Sequence, residues 1–193
     1  MSGAAGKRNP SNLIAVLTLV ATCQWVPVAA FADVIAGRVV KVSDGDTITV
    51  LDASDRQHRI RLAGIDAPEK NQPFGKVSQQ SLSAMVAGKT VNVETDKLDR
   101  YGRAIGVVLV GSVDVNREQV ERGLAWWYRA YAREQSAADR VAYSFAEEEA
   151  RKAHRGIWQS TDAVAPWEWR REGHHAQGRR RGAEQGVEAA AGS

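Results

Sequence analysis

The chain has 193 residues, of which 44% are hydrophobic and 25% are charged, a composition that suits a globular protein of one domain with terminal extensions. Its formal charge of +3 is too small to indicate a polyanionic ligand, so any such argument depends on where the cations lie. The single cysteine, Cys23, excludes an internal disulfide.

The N-terminal segment, residues 1–32, has the organisation of a secretory signal peptide. Lys7-Arg8 forms a basic region, residues 13–20 form an uncharged apolar run, and residues 30–32 are Ala-Phe-Ala, a typical cleavage signal. We therefore expect cleavage before Asp33 and export, with a periplasmic or secreted product that has no stable association with the membrane. That product would keep 24 Lys and Arg residues against 23 Asp and Glu residues.

Two alternatives remain open for this segment. Residues 12–32 carry no charge and could be retained as a membrane anchor, although the most apolar run is short for a bilayer span. Cys23 could instead carry a lipid, although Thr22 is larger than the residue usual before a lipidated cysteine.

Five segments after residue 32 have the pattern of β-strands: residues 34–42, 47–51, 58–62, 90–94 and 104–110. The first two are separated by Asp44-Gly45-Asp46, which indicates a hairpin turn. In the third, Ile60 and Leu62 face one side while Arg59 and Arg61 face the other.

Three helices are predicted from turn and capping residues. The first opens at Gln72-Pro73-Phe74 and ends at Gly88. The second begins with a capping pattern at Asn116 and stops at Gly123, and the third follows Ser136 and stops at Gly156. Apolar periodicity assigns a core face to Phe74, Val77, Leu82 and Met85 in the first helix, and to Val141, Ala142, Phe145, Ala146 and Ala153 in the third.

These elements predict an α+β fold, a five-stranded OB-fold β-barrel with three packed helices, over residues 33–172. Barrels of this type often bind nucleic acid. Residues 173–193 have no hydrophobic periodicity and are predicted to form a disordered basic tail.

Acidic side chains are predicted near the barrel loops. Asp46 and Asp66 could hold a hard cation, but two carboxylates and a main-chain carbonyl cannot fill the six to eight oxygen positions of calcium. Water and a substrate phosphate would have to complete the shell, so we expect a weak site of the extracellular type, at roughly 10⁻⁴–10⁻³ M. A weak calcium site and an export signal agree with each other.

Three further residues complete the set that phosphodiester hydrolysis needs. Glu69 is placed to act as a base toward a water molecule, while Arg61 and Arg103 could bind one phosphate and neutralise charge in the transition state. Each motif alone also has a structural interpretation. The Asp-Gly-Asp stretch and Tyr101-Gly102-Arg103 are ordinary turns, and Glu69 could be an acid at a helix N-terminus.

The order of the motifs is more specific than any one of them. Asp44-Gly45-Asp46-Thr47, then Arg61 with Asp66-Ala67-Pro68-Glu69, then Asp99-Arg100-Tyr101-Gly102-Arg103 resembles the staphylococcal nuclease (thermonuclease) family. The resemblance covers residues 33–160 and implies a monomeric, calcium-dependent, sugar-nonspecific nuclease acting on DNA and RNA. It also implies cleavage of the 5′-oxygen–phosphorus bond with 3′-phosphate products.

The resemblance implies a role for each motif residue. Calcium would be bound by the carboxylates of Asp46 and Asp66 and by the carbonyl of Ala67, which stands where the best-known member has Thr. Arg61 and Arg103 would bind the scissile phosphate and stabilise the transition state, and Glu69 would be the general base.

Substrate contacts are implied for three more residues. Tyr101 and Tyr131 match positions near the nucleotide, and Arg129 stands where the best-known member has a Tyr that touches it. Trp126-Trp127-Tyr128 could be a stacking platform or core packing.

Two rival functions stay open. A non-catalytic OB-fold nucleic-acid-binding protein would have lost the acids or arginines of the site. All five are present here: Asp46, Arg61, Asp66, Glu69 and Arg103. The other is a membrane-anchored surface protein with secondary nuclease activity.

Overall fold

Eight strands, three α-helices and an α-helical segment at residues 166–173 are found within residues 33–173, the part of the chain that the computed structural model describes. The predicted signal segment, residues 1–32, and residues 174–193 of the predicted tail lie outside the described residues, whereas Gly173 at the start of that tail is helical. The strands are β1 (Asp33–Val42), β2 (Thr47–Asp52), β3 (Gln57–Leu62), β4 (Ile65–Asp66), β5 (Thr90–Leu98), β6 (Ala104–Val110), β7 (Val113–Asp114) and β8 (Trp126–Trp127). The helices are α1 (Gly75–Val86), α2 (Val115–Glu121) and α3 (Ala137–Lys152), with 3₁₀ turns at Arg129–Glu134 and Gly156–Gln159 and further helical residues at 166–173.

The five long strands close into a barrel, as the sequence predicts. Their order is β3-β2-β1-β5-β6, with antiparallel neighbours, and a parallel pairing of β3 with β6 joins the two edges. The interior is filled by the apolar face of each strand, and its fully buried side chains include Ile48, Val50, Ile60, Val93 and Val108. Because Ile60 points inward, Arg61 emerges on the opposite side of β3.

A small second sheet positions the residues that follow β3. β4 pairs with β8, with Ile65 opposite Trp127 and Asp66 opposite Trp126. Trp126 is buried against Ile157 and Ala165, so it is a core residue rather than a stacking platform.

The predicted core face of α3 is only partly right. Ala146 is buried and Ala142 packs against the core. Val141 and Phe145, however, are 71% and 62% exposed, and Ala153 beyond the helix end is also exposed. Apolar periodicity missed this because two of the buried residues are polar and have distant partners. The Tyr143 hydroxyl donates to Asp114 at 2.8 Å, and Glu147 accepts from the backbone N–H of Trp127 at 3.1 Å.

The face predicted for α1 is partly right. Leu82 is fully buried and Met85 is half-buried against the core, but Val77 is 47% exposed. The buried residues near the start of the helix are instead Gly75 and Ser78. Ser78 can be buried because its hydroxyl donates to the carbonyl of Leu124 at 2.7 Å.

The predicted N-cap of α2 is wrong. Asp114, not Asn116, caps the helix by accepting from the backbone N–H of Arg117. Asn116 is fully buried and joins α2 to the barrel: its amide donates to the carbonyls of Ala63 and Gly106, and its oxygen accepts from Val108 N–H.

No helix in the range 33–173 combines the length and the apolar character that crossing a membrane requires.

Replacing Asn116 by Ala should lower the free energy of unfolding by about 2–4 kcal/mol, because it leaves buried backbone groups without partners. Urea denaturation measures this loss. Asn92→Ala, at an exposed position of β5, is the matched control and should change stability by less than about 0.5 kcal/mol. Equal effects of the two substitutions would contradict the bridging role of Asn116.

Candidate active site

The turn between β1 and β2 places the carboxylate of Asp46 inside the protein. A Cβ on Gly45 would lie 2.0 Å from the Ser78 hydroxyl and 2.7 Å from the Ala67 Cβ, so only glycine lets this turn pack so closely. The carbonyl of Gly45 accepts from the buried amide of Gln119 at 2.9 Å. Asp46 is held on its other side, where Oδ2 accepts from the backbone N–H of Ala67 at 2.9 Å.

One guanidinium joins the two predicted metal-binding carboxylates. Arg61 donates from Nη1 to Asp46 Oδ1 at 2.9 Å and from Nη2 to Asp66 Oδ1 at 2.7 Å. Asp66 is fully buried on β4, and Asp46 is almost so. The structure therefore brings together residues that the sequence places on three different segments.

Burial dominates the electrostatics of this group. It raises the pKa of Asp46 to about 6, although the Arg61 charge and the Ala67 N–H act in the opposite direction. Burial also opposes the charge on Arg61, but the negative charges of Asp46 and Asp66 outweigh it and raise the pKa of the guanidinium. An added cation would be favoured beside these carboxylates for the same reason.

Glu69 lies in the loop between β4 and α1. Its backbone N–H donates to the Gln72 side chain at 3.1 Å, and a Cβ on Gly75 would lie only 1.9 Å from its carbonyl oxygen. The loop is thus packed directly on the start of α1. The carboxylate itself is 38% exposed, so water can reach it.

Arg103 immediately precedes β6, the strand that pairs with β3. Its Nε donates to Asp99 at 2.7 Å, and its guanidinium lies 5.7 Å from the centre of the Tyr101 ring. Across the described range, no hydrogen bond or ion pair connects Arg103 with Asp46, Asp66 or Glu69. Its role at the phosphate therefore remains a prediction.

The predicted substrate-binding residues have varied surroundings. Tyr101 is 65% exposed, and Tyr131 is about half exposed with its ring 5.1 Å from that of Tyr128. Arg129 donates to Glu147 at 2.6 Å and lies over the Trp127 ring, so its guanidinium already has a protein partner. Substrate contact by these three residues remains a prediction.

Arg170 is a further cation in this site that the sequence motifs do not predict. Arg170, among the helical residues 166–173, donates from Nη2 to Asp66 Oδ2 and from Nη1 to Glu69 Oε1, both at 2.7 Å. Burial opposes its charge, but the bonds to the two acids prevail and raise its pKa. No sequence motif assigns Arg170 to the site, whereas the flanking Trp167 and Trp169 indicate that this segment packs against the domain.

Comparisons with known proteins agree with the motifs. The family described as "Staphylococcal nuclease homologue" matches residues 59–160. An "Uncharacterized endonuclease" of Escherichia coli is 44% identical over 137 residues, which are 70% of this chain and 85% of that protein. A "Micrococcal nuclease" of Shigella flexneri is 39% identical over 160 residues, or 78% and 88% of the two chains.

This chain belongs to the staphylococcal nuclease family. A "Probable staphylococcal-like nuclease" of Oryza sativa subsp. japonica, 32% identical over 140 residues, shares 72% of this chain but only 35% of its own length. Family membership and the nuclease relatives support nuclease activity on nucleic acid and dependence on a metal in general.

The residues of this staphylococcal nuclease family member fit a hard cation of modest affinity. Two buried carboxylates share Arg61, and Asp66 also pairs with Arg170; oxygen ligands of this kind suit calcium or magnesium. No group of three or more His, Cys, Asp and Glu side chains within residues 33–173 is arranged to hold a metal ion. Solvent and substrate would therefore have to supply most of the coordination shell.

Arg61→Ala should destabilise the metal-free protein by about 3 kcal/mol at pH 8, because two buried carboxylates lose a shared partner. The loss should shrink at pH 5. The pKa of Asp46 is above its unfolded value, so the folded state takes up a proton as the pH falls through about 6, which relieves the repulsion.

Urea denaturation in EDTA at the two pH values measures this dependence. Arg59→Ala, at an exposed position of the same strand, is the control and should show a small loss that does not depend on pH. A loss for Arg61→Ala that is the same at pH 5 and pH 8 would contradict the electrostatic account.

Proposed function

We propose that the protein is an exported, calcium-dependent nuclease that hydrolyses phosphodiester bonds in DNA and RNA and leaves 3′-phosphate ends. The observation that carries the proposal is the Arg61 guanidinium held between the buried carboxylates of Asp46 and Asp66, with the accessible carboxylate of Glu69 attached to the same group through Arg170. The names of the relatives support nuclease chemistry, and the pattern of residues 1–32 supports export, which mass spectrometry of the mature N-terminus would test.

Calcium would be held by the Asp46 and Asp66 carboxylates together with the Ala67 carbonyl. When bound, it would supply positive charge to a phosphate oxygen and to a coordinated water. The small number of protein ligands agrees with a site that is completed by the substrate.

The protein's own residues carry out the remaining steps. Glu69 is exposed enough to accept a proton from the attacking water, whose oxygen forms the new bond to phosphorus while the bond to the 5′-oxygen breaks. Arg61 and Arg103 would donate to the non-bridging oxygens, where negative charge increases in the transition state. Both guanidiniums are about one-fifth exposed, so they are partly desolvated and still accessible.

Glu69→Gln should lower the turnover number by about 10³-fold, because the amide cannot accept the proton from water. The fold should survive, since this side chain is not buried. Cleavage of plasmid DNA and of a labelled oligonucleotide measures the rate. Glu148→Gln, on the exposed side of α3, is the matched control and should stay within twofold of the unmodified enzyme. A rate near that of the unmodified enzyme for Glu69→Gln would exclude the base role.

Removing calcium with EDTA should abolish cleavage of single- and double-stranded DNA and RNA, and added calcium should restore it. Analysis of the product ends should find 3′-phosphates. Full activity in EDTA would exclude the metal role. Binding of nucleic acid with no cleavage under any metal condition would favour the non-catalytic alternative.

A further inference from the structure

The helical residues 166–173 bring a second arginine onto the carboxylates of the site. Arg170 lies 2.7 Å from Asp66 Oδ2 and 2.7 Å from Glu69 Oε1, with a longer contact of 3.3 Å to Asp66 Oδ1. It therefore touches both a predicted metal ligand and the predicted base. Arg61, by contrast, touches only the two metal ligands.

Packing upstream of Arg170 fixes the backbone segment that carries it. The amide of Gln72 donates to the Val164 carbonyl at 2.6 Å, and the same side chain accepts from the Glu69 N–H. Ala165 is buried against Trp126, and Trp167 stacks on Tyr128 with ring centres 5.2 Å apart. These contacts tie the segment to the Glu69 loop and to the end of β8, so the position of Arg170 is set by the fold.

The charges of the site are unbalanced without a metal and without substrate. Asp46, Asp66 and Glu69 contribute three negative charges and Asp44 beside Asp46 contributes a fourth, whereas Arg61 and Arg170 contribute two positive ones. A divalent cation would supply the two missing positive charges, so it would compete with the arginines for the acids.

A substrate phosphate would be an alternative partner for Arg170. Occupation of the Asp66 carboxylate by a divalent cation would place like charges beside each other and weaken the Arg170–Asp66 pair. A phosphate that meets both a cation at Asp66 and a water activated by Glu69 would come close to this guanidinium, which bonds to both acids. Arg170 is 38% exposed, so its side chain has room to turn toward a ligand.

We propose that Arg170 is a third phosphate-binding residue of this nuclease, which pairs with Asp66 and Glu69 in the free enzyme and donates to the substrate phosphate in the complex. This inference rests on the proposed function. Arginine suits the exchange because its planar fork matches both a carboxylate and a phosphate in a bidentate manner.

The test compares Arg170→Gln, Arg170→Lys and the control Arg171→Gln, an exposed neighbour in the same segment. Each protein is titrated in calcium with thymidine 3′-phosphate and, separately, with thymidine 5′-phosphate by calorimetry. The Michaelis constant and turnover number on an oligonucleotide are measured alongside, and calcium affinity is measured without nucleotide. Circular dichroism and tryptophan fluorescence check that the segment remains folded.

We expect Arg170→Gln to weaken nucleotide binding about tenfold or more and to raise the Michaelis constant by a similar factor, as expected for loss of a charge-assisted hydrogen bond. Arg170→Lys should be intermediate, because it keeps the charge but loses the fork. Arg171→Gln should stay within twofold. Calcium affinity should not fall in Arg170→Gln, since a competing cation has been removed.

Two results would overturn the inference. Unchanged nucleotide affinity with tighter calcium binding in Arg170→Gln would make the arginine only a competitor for the metal. Equal weakening of nucleotide binding by Arg170→Gln and Arg171→Gln would show that the effect comes from the net positive charge of the segment and not from a contact of Arg170. An unmodified enzyme that neither cleaves nor binds nucleotides would instead contradict the proposed function, so the two failures can be distinguished.

Discussion

The buried ion group of Asp46, Arg61 and Asp66 is the constraint on which the rest of the structure depends. Two carboxylates out of contact with water lose hydration, and the Arg61 guanidinium that they share only partly offsets this at Asp46. The raised pKa of Asp46 expresses that residual cost. Such a group is held in place only if the surrounding backbone cannot relax, so the barrel must supply the rigidity that the site itself lacks.

That rigidity comes from two strand pairings and from two buried side-chain amides. The parallel pairing of β3 with β6 fixes the strand that carries Arg61, and the pairing of β4 with β8 fixes Asp66. Gln119 and Asn116, from α2, then hold the Asp46 turn and the residues after β3 through their side-chain amides. The helix beside the barrel therefore contributes to the site although none of its residues reaches the carboxylates.

The sequence was sufficient where a local pattern determines the structure. Alternation in β3 placed Ile60 inside and Arg61 on the opposite face, and the motif order identified Asp46, Asp66 and Glu69 as a group. The sequence pattern failed where a polar residue pairs with a partner far away along the chain. Tyr143 bonds to a residue 29 positions earlier and Arg170 to one 101 positions earlier, and hydrophobic periodicity carries no information about such pairs.

Arg170 shows why a site defined by the barrel alone is incomplete. The family match ends at residue 160, yet the acid proposed as the base has its closest cation ten residues beyond that point. Without the segment that carries Arg170, Asp66 would depend on Arg61 alone and Glu69 would lose its partner. Three acids close together require more positive charge than one arginine provides, and the fold supplies it from the helical residues 166–173. In the proposed complex, the same charge that stabilises the acids before a metal binds would be positioned to meet the substrate phosphate.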